Sequence, residues 1–141
     1  MSLKELIQDI LNIARSIPNV NHVAEGDIYT LLNTNPSVDY SSVVLTQRQH
    51  SLDLYNQSMT YRFYLFYIDR ETDNQSNILD IQSEAINALF TIARKIEEKF
   101  DITFNRLDIN TFKERFSSEC AGAYITLDLT LPISACFDDF E

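Results

Sequence analysis

The spacing of apolar residues predicts two amphipathic helices. Between residues 3 and 16, apolar side chains recur three and four positions apart, as they do along one side of an α-helix. Ser2 and Glu5 form a capping-box pattern before it, and Pro18 favours its end. A longer stripe covers residues 77–99. Its apolar positions are Ile78, Ile81, Ala85, Leu89, Ile92 and Ile96, with Ile86, Phe90 and Ala93 widening the stripe.

Other segments have the character of strands. Residues 43–55 and 59–69 are rich in β-branched and aromatic side chains and predict a long antiparallel hairpin. We place its tip at residues 47–57, where polar side chains are frequent. Residues 101–116 and 121–134 predict a second strand pair, and a short helix is expected after Gly26-Asp27 with Asp27 as its cap.

The order of these elements is α-α-β-β-α-β-β, with no alternation of the βαβ kind. It predicts an α+β fold in which an antiparallel four-stranded sheet carries helices on one face. The 141 residues fit a single domain, 1–141, that ends in an acidic C-terminal tail at 137–141.

The charge and hydropathy of the chain argue against nucleic acid and membranes as binding partners. The chain has 21 acidic and 11 basic residues, a formal net charge of -10, which opposes tight binding to the phosphates of nucleic acid. Its apolar runs are far too short to span a bilayer, and residues 1–18 carry acids within the apolar stretch, unlike a signal peptide. We therefore expect no membrane partner.

No arrangement of residues in the sequence indicates catalysis. His22 and His50 lack companions at metal-ligand spacing, and Cys120 and Cys136 do not form a CxxC element. Nucleotide-binding and nucleophile motifs such as GxGxxG and GxSxG are missing from the sequence. We assign no catalytic, cofactor-binding or metal-binding residue, and we expect a protein that is not an enzyme.

The strand at residues 61–68 suggests self-association. Its two faces are both apolar, so the strand is central in the sheet or one of its faces meets a partner. One helical layer would leave Tyr64, Phe66 and Ile68, or the opposite set, in water, and we select the first set for contact with another copy. A projecting hairpin is only marginally stable alone, so its tip should also touch a neighbour. The tip residues selected are Gln47, Arg48, Gln49 and His50.

The whole chain resembles the small tail-terminator or tail-completion proteins of tailed bacteriophages. The resemblance lies in the order of elements, in GDIYTLLN…VDYSSVVLTQRQHS with its Asp39-Tyr40 entry to the hairpin, and in AGAYITLDLTLPISAC with its Ala121-Gly122 start. It covers nearly the whole chain as a pattern of elements, and no single residue in it is diagnostic.

This resemblance implies a non-enzymatic ring subunit at the head-tail junction of a virion. It implies six or more copies, neck or tail proteins as neighbours, DNA that only passes through the lumen, and assembly in the host cytoplasm. An acidic lumen would let DNA slide. The alternative from a different class is a cytoplasmic homodimeric module whose apolar sheet face binds a small ligand or a protein.

Overall fold

A computed structural model describes residues 1–28, 41–70, 77–113 and 120–136. Within these residues, six strands form one mixed sheet that is accompanied by three helices. In chain order the elements are α1 (Leu3–Arg15), β1 (His22–Glu25), β2 (Ser42–Gln47), β3 (Ser51–Asp53), β4 (Ser58–Arg70), α2 (Ile78–Phe100), β5 (Ile109–Lys113), β6 (Cys120–Pro132) and α3 (Ile133–Cys136).

The sheet has the order β1-β2-β4-β6-β5, and β3 pairs with β4 on the same side as β2. The expected α+β class is confirmed, and so are the long hairpin and the antiparallel pairing of β5 with β6. The four-stranded, fully antiparallel sheet is wrong. β1 adds a parallel neighbour to β2, and the first arm of the hairpin is divided into β2 and β3.

The central pair, β4 with β6, is antiparallel over thirteen residues on each strand, from Ser58 opposite Pro132 to Arg70 opposite Cys120. One face of this pair and the apolar sides of α1 and α2 form the main core. From the sheet it takes Val43, Leu45, Tyr61, Phe63, Leu65, Tyr67, Ala123, Ile125, Leu127, Leu129 and Leu131. Both long helices therefore pack on the same face of the sheet, as expected.

Local sequence explains where the helices begin and end. The Ser2 hydroxyl accepts a hydrogen bond from the Glu5 amide at 3.1 Å, so the predicted N-cap of α1 is present. α2 ends at Asp101, which takes the left-handed conformation with φ 54°. The apolar stripe of α2 is narrower than predicted, because Ile86 and Phe90 are exposed beside it.

The opposite face of the sheet carries a second, smaller apolar cluster. Phe66 and Ile68 are only 5% and 0% exposed, and they belong to a group with Ile28, Val44, Phe112 and Cys120. Tyr64 packs at its margin, with its ring centroid 5.8 Å from that of Tyr124. The prediction that β4 is central and apolar on both faces is confirmed. Burial of Phe66 and Ile68 needs no second copy.

Gly122 of β6 lies against the backbone of β4. It is paired with Ile68, and a methyl group added to it would lie 1.8 Å from the Tyr67 carbonyl oxygen and 3.1 Å from Cζ of Phe112. Only a hydrogen atom fits between the two backbones. The AGAY segment of β6 therefore requires glycine at its second position.

Tyr67 brings a polar group into the main core. Its side chain is fully buried, and among the described residues its hydroxyl has no hydrogen-bond partner. The nearby Ser41 hydroxyl donates to the Asn19 carbonyl and accepts from the Asn21 side chain. Burial raises the pKa of Tyr67 to about 12, so the phenol is neutral.

Four predicted features lie outside the described residues. They are the greater part of the short helix after Gly26-Asp27, the Asp39-Tyr40 entry to the hairpin, the link between the last two strands, and the acidic tail at 137–141. The structure adds the short helix α3, which follows directly on β6 and which the sequence pattern did not indicate.

Candidate oligomer interface

The first arm of the hairpin, which consists of β2 and β3, is interrupted at residues 48–50. Its partner Arg62 keeps both backbone groups bonded there, because the Arg48 amide donates to the Arg62 carbonyl at 2.8 Å and the Arg62 amide donates to Nδ1 of His50 at 3.0 Å. An imidazole thus replaces the missing main-chain acceptor. The break is a hydrogen-bonded feature of the hairpin.

The environment of His50 favours its neutral form. The ring packs against Tyr61 and Phe63 at centroid distances of 5.4 and 5.5 Å, and Nε2 lies 3.1 Å from Oε1 of Gln47. Burial, and then the positive charge of Arg62, lower the pKa of His50. Since Nδ1 accepts from the Arg62 amide, the proton of the neutral ring is on Nε2.

Two arginines, Arg48 and Arg62, contact the carboxylate of Asp128 on the sheet face opposite the two long helices. Arg48 Nη1 lies 3.5 Å from Oδ1 of Asp128, and Arg62 Nε lies 3.9 Å from Oδ2 of the same residue. Arg48 also lies over the Tyr64 ring, 4.9 Å from its centroid. All of these groups are partly open to solvent, so the pairs position side chains and contribute little to stability.

The hairpin turns at residues 54–57, directly after β3, and residues 52–57 together are here called the 52–57 tip. The Asn56 amide and side chain donate to the two carboxylate oxygens of Asp53, at 3.0 and 2.8 Å, and Gln57 takes a left-handed conformation with φ 52°. The Ile133 amide donates to the Gln57 carbonyl at 2.8 Å, which attaches the base of the turn to the end of β6. The tip is therefore held in one shape before any partner arrives.

The 52–57 tip is apolar and open to solvent. Tyr55 is 94% exposed, Leu54 is 74% exposed, and Leu52 stands beside them at 49%. Neighbouring exposed apolar side chains of this size are typical of surfaces that bind another molecule. The patch is not evident from the sequence when residues 43–55 are taken as one strand. The signal is LDLYN, in which apolar side chains lead into a turn-forming Asn.

The structure separates the predicted interface residues into two groups. One group lies at the break in the first arm of the hairpin and comprises Gln47, Arg48, Gln49 and His50. The predicted tip at 47–57 is wrong in extent, because the turn begins only after β3. Tyr64 is next to this group through Arg48. Phe66 and Ile68 are buried farther along β4. Contact of these residues with another copy stays a prediction.

The described residues contain no group of three or more His, Cys, Asp and Glu side chains that could hold a metal ion. Cys120 and Cys136 are buried free thiols. Of the helices that the structure describes, none is both long enough and apolar enough to span a bilayer.

No protein-family model matches this sequence. A search of curated proteins likewise finds no significant match.

Proposed function

We propose that the chain is a structural subunit of a tailed bacteriophage that assembles through its hairpin into a homo-oligomeric ring of six or more copies. The ring would act as a tail terminator or connector at the head-tail junction. The observation that carries the proposal is the exposed apolar 52–57 tip on a turn whose shape is already fixed by Asp53 and Asn56.

A preformed tip suits assembly because little conformational freedom is lost when it docks. Tyr and Leu side chains bury a large apolar area for few rotatable bonds, which makes them effective at the centre of an interface. The side chains of Gln47, Arg48 and Gln49, two amides and one guanidinium, lie farther back along the arm, where a polar rim would be expected.

The charge of the chain fits a channel for DNA. With a net charge of -10 per copy, a ring of many copies carries a strong negative potential, which repels phosphates and lets DNA move past. The place of the ring in a virion, its neighbours in the neck or tail, and its assembly in the host cytoplasm are proposed on the resemblance to tail terminators.

The mass of the native assembly tests this function. We expect six or more copies by native mass spectrometry, and rings with a central channel by electron microscopy. The double variant Leu54→Ser/Tyr55→Ser should remain folded by circular dichroism and should no longer form rings. A matched control, Lys4→Ser/Gln8→Ser on the exposed side of α1, should assemble like the parent.

A parent protein that stays monomeric or dimeric at tens of micromolar would overturn the ring. A stable dimer would favour the alternative, a homodimeric binding module. That module would bind its ligand on the apolar sheet face. On this face Val44, Phe66 and Ile68 pack against one another and are buried, which does not favour a ligand site there.

A further inference from the structure

A second exposed apolar surface lies between α2 and β5. A groove of about 480 Å³, here called the α2–β5 groove, is lined by Ile78, Leu79, Gln82, Thr111, Phe112 and Lys113. Leu79 forms one wall and is 76% exposed, while Phe112 is nearly buried. Ile86 and Phe90 continue the apolar surface along α2, since positions 79, 86 and 90 share one side of a helix.

The groove is fixed in shape on both sides. The Gln82 side chain donates to the Phe112 carbonyl at 3.2 Å and so ties α2 to β5. Within the described part of the chain, β5 pairs only with β6 and ends the sheet on this side. An apolar segment from outside can therefore approach along the open edge of β5.

The charges of the groove and of the 52–57 tip are complementary. Among the described residues that line the groove, Lys113 is the one that carries a charge, and it takes part in no ion pair with another described residue. Asp53 is the one charged residue in the tip. Hydrogen bonds from Asn56 lower the pKa of Asp53, so it is ionised at neutral pH. In so acidic a chain, a basic groove facing an acidic tip favours contact between copies.

The tip of a chain is too far from its own groove to fill it. The tip joins β4 at Ser58, whereas β5 lies beside the other end of the central pair, with Phe112 opposite Gly122 and Gly122 opposite Ile68. Ten residues of strand separate Ser58 from Ile68, roughly 33 Å at 3.3 Å per residue. The two surfaces are at opposite corners of the sheet.

We propose that the α2–β5 groove receives the 52–57 tip of a neighbouring copy, with Leu54 and Tyr55 against Leu79 and Phe112 and with Asp53 facing Lys113. This inference rests on the proposed ring and identifies the surface that completes it. A contact between two different patches of the same chain is head-to-tail, and such contacts close into rings when the rotation between copies permits.

Cross-linking between copies tests the pairing. We place cysteines beside the two surfaces, at Ser51→Cys and Thr111→Cys, so that the proposed contact residues are kept, and treat the assembled protein with a short bis-maleimide. Because each chain both donates a tip and accepts one, we expect a ladder of covalent dimers, trimers and larger species. The parent protein, whose two thiols are buried, and the pair Ser51→Cys/Gln8→Cys, with its second cysteine on α1, should give none.

Charge reversal gives a second measurement. Lys113→Glu should weaken assembly about tenfold or more, because it places two carboxylates together, while Lys113→Arg should assemble like the parent. Rings that form normally but cross-link through Gln8→Cys and not through Thr111→Cys, or that tolerate Lys113→Glu, would overturn this inference and leave the proposed function standing. A parent that forms no ring would overturn the proposed function itself.

Discussion

Replacing Gly122 by alanine tests the register on which the whole fold depends. The added methyl group would lie 1.8 Å from the Tyr67 carbonyl oxygen, whereas real Cβ atoms essentially never come closer than 3.0 Å. The obstacle is main chain, so it is not relieved by a change of rotamer. The two central strands must separate locally.

The expected loss of folding free energy has two sources, overpacking and the backbone hydrogen bonds that are broken when β4 and β6 separate. Overpacking of a filled interior costs about 1–3 kcal/mol, and each backbone hydrogen bond lost between β4 and β6 adds about 1 kcal/mol. We therefore expect Gly122→Ala to lower the free energy of unfolding by about 3 kcal/mol or more. For a chain of this size the melting temperature should fall by about 10 °C.

Urea unfolding followed by circular dichroism measures this cost. The variant Phe112→Leu serves as the reference, since the Phe112 ring is the second group that the methyl would meet, at 3.1 Å. The cost of Gly122→Ala should be nearly the same in the Phe112→Leu background, because the Tyr67 carbonyl remains in place. A cost below about 1 kcal/mol in the parent, or full rescue by Phe112→Leu, would refute the argument from the backbone contact.

Two further predictions concern polar groups in the sheet. Tyr67→Phe should leave the free energy of unfolding unchanged or raise it by about 1 kcal/mol, because it removes a buried hydroxyl that has no hydrogen-bond partner among the described residues; chemical denaturation checks this, and a clear loss would show that the hydroxyl is bonded. His50 has a lowered pKa when folded, so its contribution to stability is present above the ordinary value of 6.5 and is lost as the pH falls from there towards the folded value. Stability measured from pH 8 to 5 should show this loss in the parent and in His22→Gln but not in His50→Gln.

The elements that the sequence predicts well are those whose apolar pattern is long. α1 and α2 show their helical spacing over three or more turns, and β6 alternates from Ala123 to Leu131, so each is evident without its neighbours. β1 was missed because HVAE is four residues long and depends on parallel pairing with β2, which local sequence does not encode. The break at residues 48–50 depends on a bond from Arg62 to His50, a contact across the hairpin.

The candidate site was predictable only in part. The hairpin follows from composition, whereas contact of another copy with Gln47 to His50 stays a prediction. A polar tip was expected, and the observed tip exposes Leu52, Leu54 and Tyr55. Exposure of Leu54 and Tyr55 depends on where the turn lies, which is fixed by the Asp53–Asn56 bonds rather than by hydrophobic period. The apolar surface that continues from the α2–β5 groove along α2 was not predicted. Ile86 and Phe90 fit the core stripe of α2 in the sequence, whereas in the structure they lie exposed beside it.

The pairing of β4 with β6 also has a consequence for how the chain folds. The paired residues are 50 positions apart at Arg70 and Cys120 and 74 apart at Ser58 and Pro132, with α2 between the two strands. Closing so large a loop is slow compared with forming the local β2–β4 hairpin. Any step that forms the hairpin before β6 arrives leaves β4 as an open edge with aromatic side chains on both faces. Refolding yield should therefore decrease as protein concentration rises, since β6 must reach that edge before another chain does.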